Sequence, residues 1–365
     1  MPIQLPAISR SGSNLTGSQN TSTGTSSIAT SDGKLLTSVG AYAQQQASTG
    51  PEGENVSVGT YALYNNRAGV FCTAIGSYSL YYNYGKSNTA TGYRAMYGTG
   101  VNGSDNTAFG ANTLTLMIAN SEGNTAFGSN ALINSGAGAY NTAAGYATLY
   151  HLNDTKYNTA IGYGAGIGYD ISHANTILGA NCDVGADGIT NSIAIGQQVV
   201  CTASNQVRIG NLATNSIGGQ VGWSTLSDGR FKKNIREDVK GLDFILRLKP
   251  VTYRLDMDIL ARRLRPKGAP AVSAAMRSDI SANGQRTLTG FVAQDVEKAA
   301  QEAGFSFSGV DKPATEDGLY GLRYDDFVVP LVKAVQEQQR QIEALQKGNV
   351  EADKRIRRIQ EKIGH

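Results

Sequence analysis

The sequence predicts a mainly β N-terminal solenoid, then a small α+β domain that ends in a long helix. Three observations carry that reading. A glycine-centred phrase recurs about every 17 residues from Gly59 to Gly210. Charge changes abruptly at Ser227: residues 1–226 hold 16 charged side chains and 33 glycines, whereas residues 227–365 hold 45 charged side chains. The last stretch carries an unbroken heptad. The boundaries that follow are 1–50 for an N-terminal segment, 51–222 for the repeats, 223–345 for the C-terminal module and 331–365 for a coiled coil.

Residues 1–50 are rich in Ser, Thr, Gly and Asn, a composition that stays loosely extended on its own or serves as the end that docks a fibre to a larger assembly. The repeats follow. Glycine stands at 59, 76, 92, 110, 128, 145, 162, 179, 196 and 210, and phrases such as Asn106-Thr-Ala-Phe-Gly110 and Asn124-Thr-Ala-Phe-Gly128 precede it. Four residues after the glycine come Leu63, Leu80, Met96, Leu114, Leu132 and Leu149. Fixed-period similarity of this kind is the mark of a solenoid. The period is too short for a helix pair and suits two short strands joined by turns. Alternate residues of a strand share a face, and the fourth residue of the phrase (Val58, Ile75, Phe109, Phe127, Ile161, Leu178, Ile195, Ile209) is expected to fill the coil interior. Coils must stack to bury that face. Ten of them would make a rod of roughly 45–50 Å. Tyrosine is concentrated here too, with 15 of 18 in the repeat half and eight between Tyr61 and Tyr97. Ladders covering the stacked strands are the favoured account, and a surface for sugars or protein receptors is the other.

In the second half, Leu242–Tyr253 suggests a short helix and then a strand. Residues 264–287 read as an irregular insertion, and Arg262-Arg263-Leu264-Arg265-Pro266-Lys267 as a solvated loop. Gly290–Lys298 reads as a strand running into an amphipathic helix. From Pro330 onward, Leu331, Val335, Gln338, Ile342, Leu345, Asn349, Ala352, Ile356, Ile359 and Ile363 follow alternating steps of four and three, a coiled-coil seam in which Asn349 would fix register.

Composition excludes several classes. Residues 1–226 carry 7 Lys/Arg against 9 Asp/Glu, net −2, and residues 227–365 carry 25 against 20, net +5, too little for a nucleic-acid footprint. Cys72, Cys182 and Cys201 lack metal-ligand spacing and are read as small buried side chains. No cofactor or metal is expected. No apolar run is long enough to span a membrane, and Met1-Pro2-Ile3-Gln4 opens no signal peptide, so assembly in a cytoplasm is expected.

The seam itself reads Thr225-Leu226-Ser227-Asp228-Gly229-Arg230-Phe231-Lys232-Lys233. A serine needs a base to act as a nucleophile. The C-terminal module has no histidine before His365, so a Ser-His-Asp triad is not expected there. A neutral lysine can do the work, given burial or cationic neighbours.

Two resemblances sharpen this. The Asn-x-Ala-x-Gly phrases over about 55–210 resemble the head repeats of trimeric autotransporter adhesins, which implies a left-handed parallel β-roll in a trimer. That family's secretion signal and C-terminal membrane barrel are missing, so autotransport is not carried over. The segments Ser227–Ile235, Gly290–Lys298 and Tyr324–Glu337, in that order, resemble the self-cleaving intramolecular chaperone domain of phage endosialidases and related tail fibres. That likeness implies a homotrimer with a trimeric coiled coil, a cut between Leu226 and Ser227, Ser227 as nucleophile and Lys232 as base, with Lys233 the alternative and Asp228 and Arg230 in positioning roles.

The function expected is a homotrimeric tail fibre, displayed on a virion, whose chaperone drives trimerisation and is then released by autoproteolysis. Its further partners would be a tail or baseplate assembly, through the N-terminus, and a host surface glycan or protein receptor. The alternatives are a bacterial cell-surface adhesin with the same chaperone, or a glycan-degrading tailspike.

Overall fold

A computed structural model describes residues 19–28, 34–46, 53–98, 103–116, 121–314 and 318–364. The chain divides into two compact units, Met1–Ile217 with Asp256–Asn283, and Gly218–Leu255 with Gly284–His365.

The first unit is a β-solenoid. Three-residue strands, each the core of one phrase and Thr-Ala-x in six of them, stack in parallel into a 12-stranded sheet running from Thr21–Thr23 to Val207–Ile209. Register is phrase on phrase: Thr107 faces Thr125, Ala108 faces Ala126 and Phe109 faces Phe127. Shorter parallel pairs, such as Asp183–Val184 with Val200–Cys201, form on another side of the coil. The strands Thr21–Thr23 and Thr37–Val39 continue the ladder into the segment read from sequence as an attachment region. The solenoid therefore begins before residue 51, because Asn20-Thr-Ser-Thr-Gly24 and Leu36-Thr-Ser-Val-Gly40 are degenerate copies of the same phrase.

The interior face is the opposite of the one expected. The third residue of the phrase points inward, with Ala74, Ala90, Ala108, Ala126, Ala143 and Ala160 fully buried. The fourth points out, and Phe109 and Phe127 are 50 % and 49 % exposed. A coil of about 17 residues leaves a narrow lumen, which an alanine methyl at the strand and Leu63, Leu80, Met96, Leu114, Leu132 and Leu149 at the turn already fill. A phenyl ring added to it would overpack the core. The glycine closing each phrase turns the chain at the corner. At Gly110 φ is +135°, and a Cβ there would lie 2.8 Å from the carbonyl carbon of Gly128 in the next coil, so no other residue fits.

The first residue of the phrase holds the coils together. Asn124 donates from its backbone N–H (2.9 Å) and Nδ2 (3.1 Å) to Asn106 Oδ1, and from Nδ2 to the carbonyl of Gly138 (2.8 Å). The same pattern runs through Asn88, Asn106, Asn124, Asn141, Asn158 and Asn175, and ends on Ser192. Each amide is buried and paired, as a buried polar ladder must be. Asn124→Ala is expected to cost about 1–3 kcal/mol for each group it leaves unpaired, measured as a lower thermal midpoint, whereas the exposed Asn153→Ala should leave the midpoint where it was. The last strand departs from the phrase: Arg208 takes the inward alanine's place and bonds sideways to Gln206 Oε1 (2.9 Å) and Thr202 Oγ1 (3.4 Å).

Cys72, Cys182 and Cys201 are buried and unpaired. Burial pushes the Cys182 thiol up to about 11, which keeps it protonated and inert.

Residues 256–283 belong to this unit although they follow the seam. They contain helix α2 (Met257–Arg263), which takes up Arg262 and Arg263, and most of helix α3 (Ala274–Gln285); helix α1 (Leu242–Ile245) lies in the other unit. Of the basic loop expected from sequence, Leu264 to Lys267 are irregular as expected and only Arg262 and Arg263 are helical, whereas half of the insertion read over 264–287 is helix, through α3. No buried residue marks α3, so no apolar periodicity betrayed it. Gln198 Nε2 donates to the Pro270 carbonyl (3.1 Å), Asn283 Nδ2 donates to that of Leu212 (3.0 Å), and the Lys267 ammonium sits 5.2 Å from the ring centre of Tyr169.

Beside this contact Asp183 is fully buried, accepting from the N–H of Gly168 (2.8 Å) and of Val184 (2.8 Å). Burial pushes its carboxyl up to about 7, opposed by those two N–H groups and by Lys267 and reinforced by Asp187. A carboxyl whose folded value lies above its unfolded one favours the fold most at low pH and loses that contribution as pH rises from about 4 to about 7. The solenoid is expected to lose on the order of a few kcal/mol across that window. Asp183→Asn should flatten the slope, read as the thermal midpoint at pH 4.5 against pH 7.5.

The second unit is small and α+β. Val251–Tyr253 pairs antiparallel with Leu288–Gly290, and Val310–Asp311 with Gly321–Leu322. Helices α1 and α4 (Ala293–Glu302) bring Phe244, Val296, Ala299 and Ala300 onto Phe327 in its core. A single turn of 3-10 helix, Tyr324–Phe327, leads into helix α5 (Val328–Ile363), 36 residues long, with Pro330 in its first turn. Only Pro330 and Ala334 of α5 are buried. Leu331, Val335, Ile342, Leu345, Ile356, Ile359 and Ile363, the seam read from sequence, lie exposed along it.

Candidate functional site

Between Gly218 and Lys240 the chain makes only one regular turn, a 3-10 helix over Gly229–Phe231. Asp228 starts it. Its side chain accepts from the Arg230 N–H (2.9 Å) and so caps the turn, as an aspartate before glycine is suited to do. The Arg230 guanidinium folds back on the same carboxylate, with Nη2 2.6 Å from Oδ2 and Nε 3.0 and 3.1 Å from the two oxygens. That fork holds the Asp228 carboxyl below its ordinary value.

The turn reverses the chain just enough to return Lys232 to the residue before the cap. Lys232 Nζ donates to Ser227 Oγ at 2.8 Å. Lys233, next in sequence, makes no bond to Ser227 among the described residues. Ser227 is therefore within proton-transfer reach of one amine, and its Oγ is tethered a single residue from the Leu226 carbonyl. Sequence reasoning had the four residues but not the cap that joins them.

The surroundings are bare in the single chain. Ser227 and Lys232 are exposed, and Val221, Trp223, Leu226, Phe231 and Ile235 are between 72 % and 89 % exposed. Such a run of uncovered large apolar side chains is unusual on a finished surface. Among the described residues no group of three or more His, Cys, Asp or Glu is placed to hold a metal ion, and no helix is long and apolar enough to cross a membrane.

Residues 227–305 match the family described as chaperone of endosialidase, and the match opens on Ser227. No curated protein matches the chain.

Proposed function

We infer that the chain is a homotrimeric tail-fibre-like protein in which the module after Ser227 is a folding template that cuts itself away. The observation that carries this is the 2.8 Å contact of Lys232 Nζ with Ser227 Oγ at the first residue of the chaperone match. Lys232, as the neutral amine, takes the Ser227 hydroxyl proton while Oγ attacks the Leu226 carbonyl carbon. The Leu226–Ser227 C–N bond breaks, its nitrogen takes up the proton, and Leu226 becomes an ester on Oγ. Water then hydrolyses the ester, leaving a carboxylate on Leu226 and the free hydroxyl on Ser227. Asp228 and Arg230 set the turn and do not enter the chemistry.

Two bare surfaces support assembly as the trigger. The α5 seam is a ready coiled-coil face, and joining three chains there raises local concentration and sets register for the repeats. The outward row of Val58, Ile75, Phe109, Phe127, Ile161 and Ile209 is the second face that copies of the chain would cover. Closing three chains around the seam would also desolvate Lys232, so that assembled fibres alone are cut. Removing the template afterwards denies the fibre its folding path in reverse and makes its stability kinetic. The setting that fits is the tail of a phage or related injection machine, where the C-terminal likeness is at home.

The test is expression in a bacterial cytoplasm with intact mass of the product. Fragments of 226 and 139 residues are expected, since 365 − 226 = 139. A full-length chain that is trimeric and stays uncut over days rules the cleavage out.

A further inference from the structure

The coils around Gly59 to Tyr97 carry a face unlike the rest of the solenoid. Tyr42, Tyr61 and Tyr78 stack ring on ring with centres 4.9 and 5.1 Å apart. A second column of Tyr64, Tyr81 and Tyr97 runs beside it at 5.0 and 5.2 Å. The repeat dictates both columns, because they stand two and five residues after the phrase glycines. In the coil after Gly92 the first column is continued not by tyrosine but by Arg94, whose guanidinium lies 4.5 Å from the Tyr97 ring centre and 6.0 Å from that of Tyr93.

Two further rings lie across the columns. Tyr82 is turned 75° to Tyr81, and Tyr93 88° to Tyr78. Among the described rings neither is stacked face to face on another, and Tyr93 is 51 % exposed. The charges around them are one-sided. From residue 55 to 104 the sequence has Arg67, Lys86 and Arg94 and no Asp or Glu, in a half that is net acidic. Arg94 makes no ion pair among the described residues. A guanidinium laid on aromatic rings keeps its N–H edge for a carboxylate. The Tyr81 phenol does not compete as an anion, since burial and the neighbouring tyrosines push it up to about 12.

Flat rings with polar rims, flanked by one unspent arginine, are built for a carboxylated sugar: the ring faces take the apolar side of a pyranose and the fork takes the acid. Three cations are too few to grip a nucleic-acid backbone. We propose that this face, centred on Tyr82, Tyr93 and Arg94, binds an anionic polysaccharide. Tyr82, Tyr93 and Arg94 follow the phrase glycines, whereas the outward row of Ile75 and Phe109 precedes them, and the face is taken to stay displayed when chains assemble through that row. The proposal rests on the fibre reading only for that display.

The test uses the full chain as expressed, with intact mass and light scattering on the same preparation reporting cleavage and assembly separately from binding. The probes are oligogalacturonate, hyaluronan oligosaccharides and a sialylated oligosaccharide. Methyl-esterified oligogalacturonate and maltoheptaose serve as uncharged counterparts, all titrated by calorimetry to 5 mM. Binding is expected to at least one acidic probe and to be about tenfold or more weaker for the uncharged ones. Arg94→Ala should weaken it by about tenfold, Arg94→Lys by less, and Tyr93→Ala by a similar factor. The control Tyr157→Ala, on a distant coil, should have no effect. Thermal melts of each variant show whether it folds. If Arg94→Ala melts too low to use, Tyr93→Ala and Arg94→Lys decide. No heat with any acidic probe, equal binding of the esterified chain, or unchanged binding in folded Arg94→Ala and Tyr93→Ala each overturn the site. A face that instead captures acidic proteins would show as the first of these outcomes.

Discussion

Ser227→Ala should stop processing outright and leave a single species of 365 residues. The change removes one oxygen from an exposed side chain whose only hydrogen-bond partner among the described residues is Lys232, so folding and assembly should persist while the cut disappears. The expected loss is at least about a hundredfold in cleavage rate, the scale on which losing a nucleophile acts. Lys232→Ala should match it, because the hydroxyl then has no base within reach. Lys232→Arg should also stay uncut: it keeps the charge but cannot give up its proton at neutral pH. Asp228→Ala is the discriminating variant. It leaves both reacting groups and loses only the cap, so cleavage should slow and still reach completion. Purified chain followed by mass over hours reads all four. Continued processing of Ser227→Ala at the wild-type rate would falsify the assignment.

Phe109→Asp with Phe127→Asp should abolish the trimer and, with it, cleavage. The two rings stack at 5.1 Å between centres and stand about half exposed in the single chain. Within one chain, exchanging exposed apolar groups for charges is nearly free. Buried in an assembly, the same charges would face their own copies from two other chains with no cation to pair them, a cost of several kcal/mol. Light scattering should find monomers and intact mass should find uncut chain. An uncut trimer would separate the two events, and a cut monomer would show that assembly is not the trigger.

What the sequence disclosed follows from what a repeat can encode. The period, the invariant glycines and the seam at Ser227 were readable because each leaves a local mark. The inward face was not. Alternation says that Ala108 and Phe109 lie on opposite sides of a strand, but only the bore of the coil decides which side is inside. A period of 17 residues was the available clue, since so short a circuit cannot enclose a phenyl ring at every turn. The asparagine ladder was visible as a repeated letter, and its bonds needed the stacking distance between coils. Helix α3 left no trace because it buries nothing. At the candidate site all four residues were in view, and the cap by Asp228 that brings Lys232 to Ser227 appeared only once the turn was seen.

Each coil meets the next through strand pairing, the asparagine ladder, buried apolar side chains and, in places, stacked rings, and Arg208 breaks the phrase at the last strand. Length is therefore a whole number. Splicing a complete unit of about 17 residues in or out of the middle should preserve every neighbour's bonds and change the reach of the rod by about 4.8 Å. Removing half a unit should ruin it. At the last strand Arg208 stands where a further copy of the phrase would need its inward alanine.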